Sequence, residues 1–391
     1  MIATLSGTRV LEQGTFITGP CAGMMLADLG ADVIKIEGPE GDPYRSYQGG
    51  MYSPHFQAYN RNKRSLALDL KASADRTLFD SLIREADVFI QNFRPGTAER
   101  LGIGVKRLHE INPRLVYCSI SGFGSSGPYI DRPSYDSVAQ ALSGFLSVVV
   151  DYERPQFLGP ALADAITGLY AAYGILGALV ERGRTNRGRL VEVSMLEATA
   201  HFAVEPFAAY FALGETPTSA DRPRLAQAYI LHTADQRLIA IHLSSLEKFW
   251  TGLVAVLEAP ELASDPRFNT RLNRIAEYQA LRLELDARFS RQPLAHWVER
   301  LQQHDVPYAP INRIDDVVND PQVEHLGLIV PVEEPHGAKR AVRPAVQFGG
   351  VRARSVRPAP LLNEHGAAIR AELANGVAWP SRTGVVAAEV E

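Results

Sequence analysis

TRVLEQ (residues 8–13), PCAGMMLADL (20–29) and DVIKIE (32–37) decide the fold between them. The outer two are short apolar runs of the kind that form buried strands. The middle one repeats apolar residues at helical spacing. Pro20 suits a first helical turn, and Gly30 marks the helix end. A strand, a helix and a strand in that order dictate a parallel sheet with a right-handed crossover.

The same alternation continues outward. SLALDL (65–70), DVFIQNF (87–93), RLVYCSIS (114–121) and RLVEVSM (189–195) read as strands. ADRTLFDSLIREA (74–86) reads as a helix, PGTAERLG (95–102) opens another, and Pro133 to about Val149 reads as a third. Leu162–Glu181 is a long helix, apolar nearly all round and therefore expected to be buried. After about residue 205 the alternation fades. LIAIHL (238–243) is strand-like, and SLEKFWTGLVAVL, YQALRLELDARFS and LAHWVERLQQH look helical. RPAVQFGG (343–350) reads as a short strand and EHGAAIRAELAN (364–375) as a helix, and SRTGVVAAEVE (381–391) is expected to fray.

A chain of 391 residues is too long for one ordinary core and implies two domains, or one large domain with an insertion. Its 46% apolar and 21% charged content fits a globular enzyme. A net charge of −4 gives no general attraction to nucleic acid or an anionic membrane, so any phosphate must be held by local basic groups. Cys21 and Cys118 form no CxxC pair, which points to a reducing cytoplasm. No signal peptide is expected, and the apolar stretches look too broken for a membrane span.

Gly122-Phe-Gly124-Ser-Ser-Gly127 matches the dinucleotide fingerprint, but Pro128 follows it instead of a helix. A nicotinamide enzyme is therefore set aside, and the glycines are assigned to a flexible surface loop. The stronger feature is Asp164, in GPALADAITG (159–168), at the start of the long apolar helix. Burial raises the cost of its charge, while the helix start favours it. Taken alone, such an acid is most economically a cap. An unpaired, poorly solvated carboxylate there is instead a nucleophile suited to a thioester carbonyl.

Five long segments decide between these readings: 19–45, 60–71, 91–102, 112–144 and 161–198. Together they closely resemble the class III CoA-transferases, the formyl-CoA and carnitine type, over nearly the whole chain. HLSSLEKFW, DPRFNTRLNR, DVPYAPINRIDDVVNDP and APLLNEHG fit as well. The resemblance implies an α/β fold: a Rossmann-like large domain (1–205 plus 325–391), a small α+β domain (206–324) between its parts, and an interlocked homodimer. It implies coenzyme A, carried as acyl-CoA, and an organic acid as substrates, with no metal or nicotinamide. It places a covalent aspartyl intermediate at Asp164. It assigns Ile17, Thr18, Leu68, Lys71, Asn92, Phe93, Arg94 and Arg100 to the CoA site, with Tyr135 and Asp136 beside the thioester. The residues agree in kind, since Phe93 offers an aromatic face and Lys71, Arg94 and Arg100 offer charge for phosphates. For Tyr135 a core tyrosine with a satisfied hydroxyl is the alternative.

The related α-methylacyl-CoA racemases carry a histidine where this chain has Tyr135, so two-base proton transfer lacks a partner here. Racemase or isomerase action at the α-carbon is the second reading, and a non-catalytic acyl-CoA binding protein the third. Ile17 and Gly38 stand where the formyl-CoA and oxalate enzymes carry glutamine and arginine, and no run of glycines appears in the small domain. These differences favour a longer or more apolar acid over formate or oxalate. Movement of CoA within one dicarboxylic acyl-CoA is also open.

Overall fold

The computed structural model describes residues 3–157, 159–244 and 247–380. The chain divides into two compact units: Met1–Leu146 with Phe157–Val204 and Gln322–Glu391, and Ser147–Gln156 with Glu205–Pro321.

The first unit is built on a six-stranded sheet: β1 (Arg9–Gln13), β2 (Asp32–Glu37), β3 (Arg64–Ala67), β4 (Val88–Gln91), β5 (Val116–Ser121) and β6 (Leu190–Ser194). Every neighbouring pair runs parallel, in the order β3-β2-β1-β4-β5-β6. Parallel strands need crossover connections, and here these are helical: α1 (Thr18–Asp28), α2 (Pro54–Asn60), α3 (Ser73–Glu85), α4 (Thr97–Arg100), α5 (Val105–Ile111), α6 (Asp136–Leu142) and α7 (Leu162–Thr185). Alternate strand residues face opposite layers. Val10 joins a core with Leu26 and Ala27 of α1 and Ile175 of α7. Its neighbour Leu11 joins another with Phe79 and Leu82 of α3 and Leu108 of α5.

Gly30 ends α1 as expected. Its φ is +99°, a backbone conformation that glycine adopts without steric cost. The Gly30 and Ala31 N–H groups close the helix on the carbonyls of Ala27 and Leu26.

The second unit has its own antiparallel sheet of β7 (Ala228–His232), β8 (Leu238–His242) and β9 (Tyr308–Pro310). Its core holds Trp250, Phe268, Leu285 and the stacked pair Phe289 and Trp297.

Several expectations are corrected. The helix expected from Pro133 to Val149 is only Asp136–Leu142, because Gly144 at φ +79° breaks it, and a 3-10 turn follows at Phe145–Val148. RPAVQFGG is not a strand: β10 (Ile329–Pro331) pairs with β11 (Arg340–Val342), just before it. The helix α7 is not buried all round. Leu169, Tyr173 and Val180 form an exposed stripe on it. By length and composition α7 is also apolar enough to cross a membrane, so the apolar runs are less broken than they look. Two of its glycines serve packing instead. A Cβ on Gly168 would lie 2.6 Å from that of Cys21 in α1, and one on Gly174 would lie 2.8 Å from Val191 of β6. The segment 381–391 lies outside the described residues.

Candidate active site

In this strand order the chain leaves β1 and β4 in opposite directions, which opens a crevice at the carboxyl ends of the two neighbouring strands. A cavity of about 690 Å³ lies there. Its walls come from the segments after β1 (Thr15–Thr18), after β4 (Asn92–Pro95) and after β5 (Ser121–Gly124), and from the starts of α6 and α7.

Asp164 lines this cavity from the third position of α7. It does not cap its helix, and Ala161 at the N-cap makes no side-chain bond either. The capping acid is Asp136, whose Oδ1 accepts the Asp164 N–H at 3.2 Å. Gln140 Nε2 holds the other oxygen of Asp136 at 2.6 Å. The Asp164 carboxylate itself has no hydrogen bond or ion pair among the described residues. Burial, then the nearby charge of Asp136, pushes its pKa up from 3.8 to about 7. The economical reading of Asp164 as a cap is thus overturned by an acid 28 residues away.

The other expected residues fall into three groups. Ile17, Thr18, Asn92, Phe93, Arg94, Tyr135 and Asp136 share the cavity with Asp164. Leu68 and Lys71 line a second cavity, of about 250 Å³, on the far side of Phe93, which borders both. Gly38 lines the second cavity, with open space where a side chain would point. Arg100 lines neither; it is exposed and bonds Thr97 at 2.7 Å. Tyr135 is not a core residue. It is 62% exposed and meets the Phe16 ring edge-on at 6.0 Å. Asn92 acts as a bracket: it takes the Thr15 N–H and donates to the Thr15 carbonyl and the Thr18 hydroxyl, all within 2.9 Å. The Arg94 guanidinium has no hydrogen bond or ion pair among the described residues, so it is free for an anion.

The glycine-rich loop after β5 is part of the wall rather than idle surface. A side chain at Gly122 would collide with Ser134, which carries Tyr135 and Asp136 behind it, and Gly124 and Gly127 have φ of +104° and +97°.

Two features escaped the sequence reading. The first is Phe16, a bulky residue at φ +57°, where non-glycine backbones are strained by on the order of 1–3 kcal/mol. The second is a fully buried ionic cluster beneath the same loop. Lys35 Nζ reaches Glu12 at 3.4 Å, Asp42 at 3.0 Å and the Gly14 carbonyl at 2.7 Å. Lys63 Nζ reaches Glu12, the Pro20 carbonyl and Asn60, each at 2.8 Å. Arg45 clamps Glu37 with two bonds of 2.7 Å. Buried charges survive only when paired in this way. The acid in EGPEGDPYR that precedes Pro43 was the visible signal for Asp42, which caps the turn after it.

A family model described as CoA-transferase family III matches residues 5–366. An acetyl-CoA:oxalate CoA-transferase of Acetobacter aceti is 35% identical over 376 residues, covering 94% of this chain and 95% of that protein. A succinate–glutarate CoA-transferase of Agrobacterium fabrum is 33% identical over 383 residues, covering 94% and 95%. The crystal structure of a CAIB/BAIF family protein from Brucella suis is 35% identical and superposes with a TM-score of 0.85, covering 95% of this chain and all of that one.

Proposed function

We propose, from the premise that this chain belongs to CoA-transferase family III, that it moves CoA from an acyl-CoA thioester to a carboxylic acid through a covalent intermediate on Asp164. The observation that carries this reading is the Asp164 carboxylate, without a partner among the described residues and facing the crevice at the sheet's switch point.

The chemistry follows from that placement. An ionised Asp164 oxygen adds to the thioester carbonyl, the C–S bond breaks and CoA leaves as thiolate, giving a mixed anhydride. The thiolate then attacks the Asp164 carbonyl and releases the donor acid, leaving an aspartyl-CoA thioester. The acceptor carboxylate attacks that carbonyl, and returning thiolate completes the new acyl-CoA and frees Asp164. Only the ionised acid attacks, so transfer rises with pH through about 7. Racemisation would need two bases on opposite sides of the α-carbon, and no histidine lines the cavity among the described residues.

Relatives named for oxalate, succinate and glutarate support a dicarboxylic acid as donor or acceptor. The oxalate named for the Acetobacter protein runs against the preference for longer acids drawn from Ile17 and Gly38, so the acid panel must span both. The exposed stripe Leu169, Tyr173 and Val180 supports a protein-covered face, in keeping with the interlocked homodimer. A cytoplasmic home belongs to the same proposal, and Cys21 and Cys118 are both buried free thiols.

The test is a matrix of acyl-CoA donors against mono- and dicarboxylic acids from oxalate upward, read by mass spectrometry. Transfer to one or more acids is expected, with Asp164→Ala losing at least about 10³-fold. Full activity in Asp164→Ala removes the mechanism. Deuterium uptake at the α-carbon without any acceptor would establish the racemase reading in its place.

A further inference from the structure

The buried ionic cluster has a directed consequence at the cavity. One carboxylate, Asp42, is held from behind: its Oδ2 lies 3.0 Å from the fully buried Lys35 ammonium. Its own N–H donates to Glu37 at 3.0 Å, and Glu37 is fixed by Arg45 and Ser65. The other oxygen, Oδ1, accepts two backbone N–H groups, Phe16 at 3.1 Å and Tyr44 at 2.9 Å. These residues belong to different segments, one after β1 and one after β2. Their rings lie 5.7 Å apart, and both line the cavity that contains Asp164. The Phe16 ring also meets Tyr135 across the cavity wall. Burial, then Tyr59 and Tyr47, then Asp164, push the Tyr44 phenol up to about 12.

Phe16 is strained, and strain persists only where the surroundings over-determine it. Here the determinants are Asp42 on the Phe16 N–H, Asn92 on Thr15 and Lys35 on the Gly14 carbonyl. The Phe16 ring therefore stands in the cavity because the buried cluster fixes its backbone.

We propose that Asp42, itself fixed by Lys35, is a positioning residue that sets Phe16 and Tyr44 as an aromatic wall keeping water from Asp164. This rests on the transferase reading for its consequence but not for its geometry. An aspartyl-CoA thioester is open to water as well as to the acceptor acid. In hydrolysis a water oxygen bonds to the Asp164 carbonyl and the C–S bond breaks. One water proton goes to the CoA sulfur and the other to solvent, and Asp164 returns as carboxylate. A wall that excludes water suppresses this loss and leaves the carboxylic acid as the acceptor.

The experiment compares wild type with Asp42→Ala, Asp42→Asn and Phe16→Gly. Glycine takes the φ of Phe16 without strain, so that variant removes the ring and relaxes the backbone. The ratio of acyl-CoA hydrolysis to CoA transfer is measured in folded protein. It is expected to rise about tenfold in Asp42→Ala and Phe16→Gly. Asp42→Asn retains an oxygen for both N–H groups but turns its NH2 toward the Lys35 ammonium, so its ratio is expected to rise as well, by less than that of Asp42→Ala. An unchanged ratio in folded Asp42→Ala and Phe16→Gly overturns the proposal. Labelling of Asp164 by a water-soluble carbodiimide, read by peptide mass, decides the same point if wild type transfers CoA to no acid and the transferase reading itself has failed. Faster labelling in Asp42→Ala and Phe16→Gly supports the wall, and equal labelling overturns it.

Discussion

Glu12 is fully buried and Asp164 half-buried, on β1 and α7 of the same unit, and they titrate in opposite directions. Burial raises the pKa of each. For Glu12 the ammoniums of Lys35 and Lys63, with hydrogen bonds from Lys63 and the Gly14 N–H, outweigh burial and hold the carboxyl below its usual range. For Asp164 no ammonium or guanidinium among the described residues opposes burial, and Asp136 adds a like charge. Desolvation therefore does not set the direction of the shift on its own. Partners do. The molecule spends two lysines on an acid that faces no cavity and none on the acid that lines one.

That contrast is open to attack from either side. The largest effect is expected at the paired acid. Glu12→Ala takes the ion-pair partner from buried Lys63 and leaves Lys35 with Asp42, and is expected to cost about 3–5 kcal/mol in urea unfolding. A Glu12→Ala protein with unchanged stability and no transfer would mean that Glu12 is chemical rather than structural.

At the unpaired acid the sign reverses. The folded pKa of Asp164 lies above its ordinary value, so the folded chain holds the extra proton between about pH 4 and 7. Its contribution to stability is present in acid and is lost as pH rises through about 7. Asp164→Asn is expected to stabilise the chain at about pH 8, by at most about 4 kcal/mol, and to change nothing at about pH 4. Unfolding at both pH values checks this, and equal effects would show that Asp164 is not poised by burial.

The smallest effect is expected at Asp136. Asp136→Asn keeps an oxygen for the Asp164 N–H but removes the charge, and Gln140 turns its amide to match. The rising limb of the pH profile should then move to lower pH by less than about one unit, under about 1.4 kcal/mol. An unmoved limb would leave burial as the whole cause.

Much of the sheet was legible because parallel strands and their crossover helices leave separate periodic marks, as in TRVLEQ and DVIKIE. Asp164 was legible as an acid in an apolar helix, but its freedom from capping was not. The cap comes from Asp136 on another helix, and no local pattern reports it. Lys35 reads as an ordinary charged position in a strand, and only the strand order brings Glu12, Lys35 and Lys63 together beneath one loop. Arg100 shows the opposite case. Its charge is real, but its side chain bonds within its own helix, away from both cavities. RPAVQFGG has strand-like residues and no neighbouring edge to pair with among the described residues, apart from one bridge between Phe348 and Val351.

The proposed bond to the Asp164 side chain is tested most directly by trapping it. The protein is mixed with an acyl-CoA donor that the acid screen has identified, treated with hydroxylamine, and digested for peptide mass analysis. A hydroxamate on Asp164 that requires the donor is the predicted result. Continued CoA transfer with Asp164 unmodified, or the same modification on another acid, would contradict it.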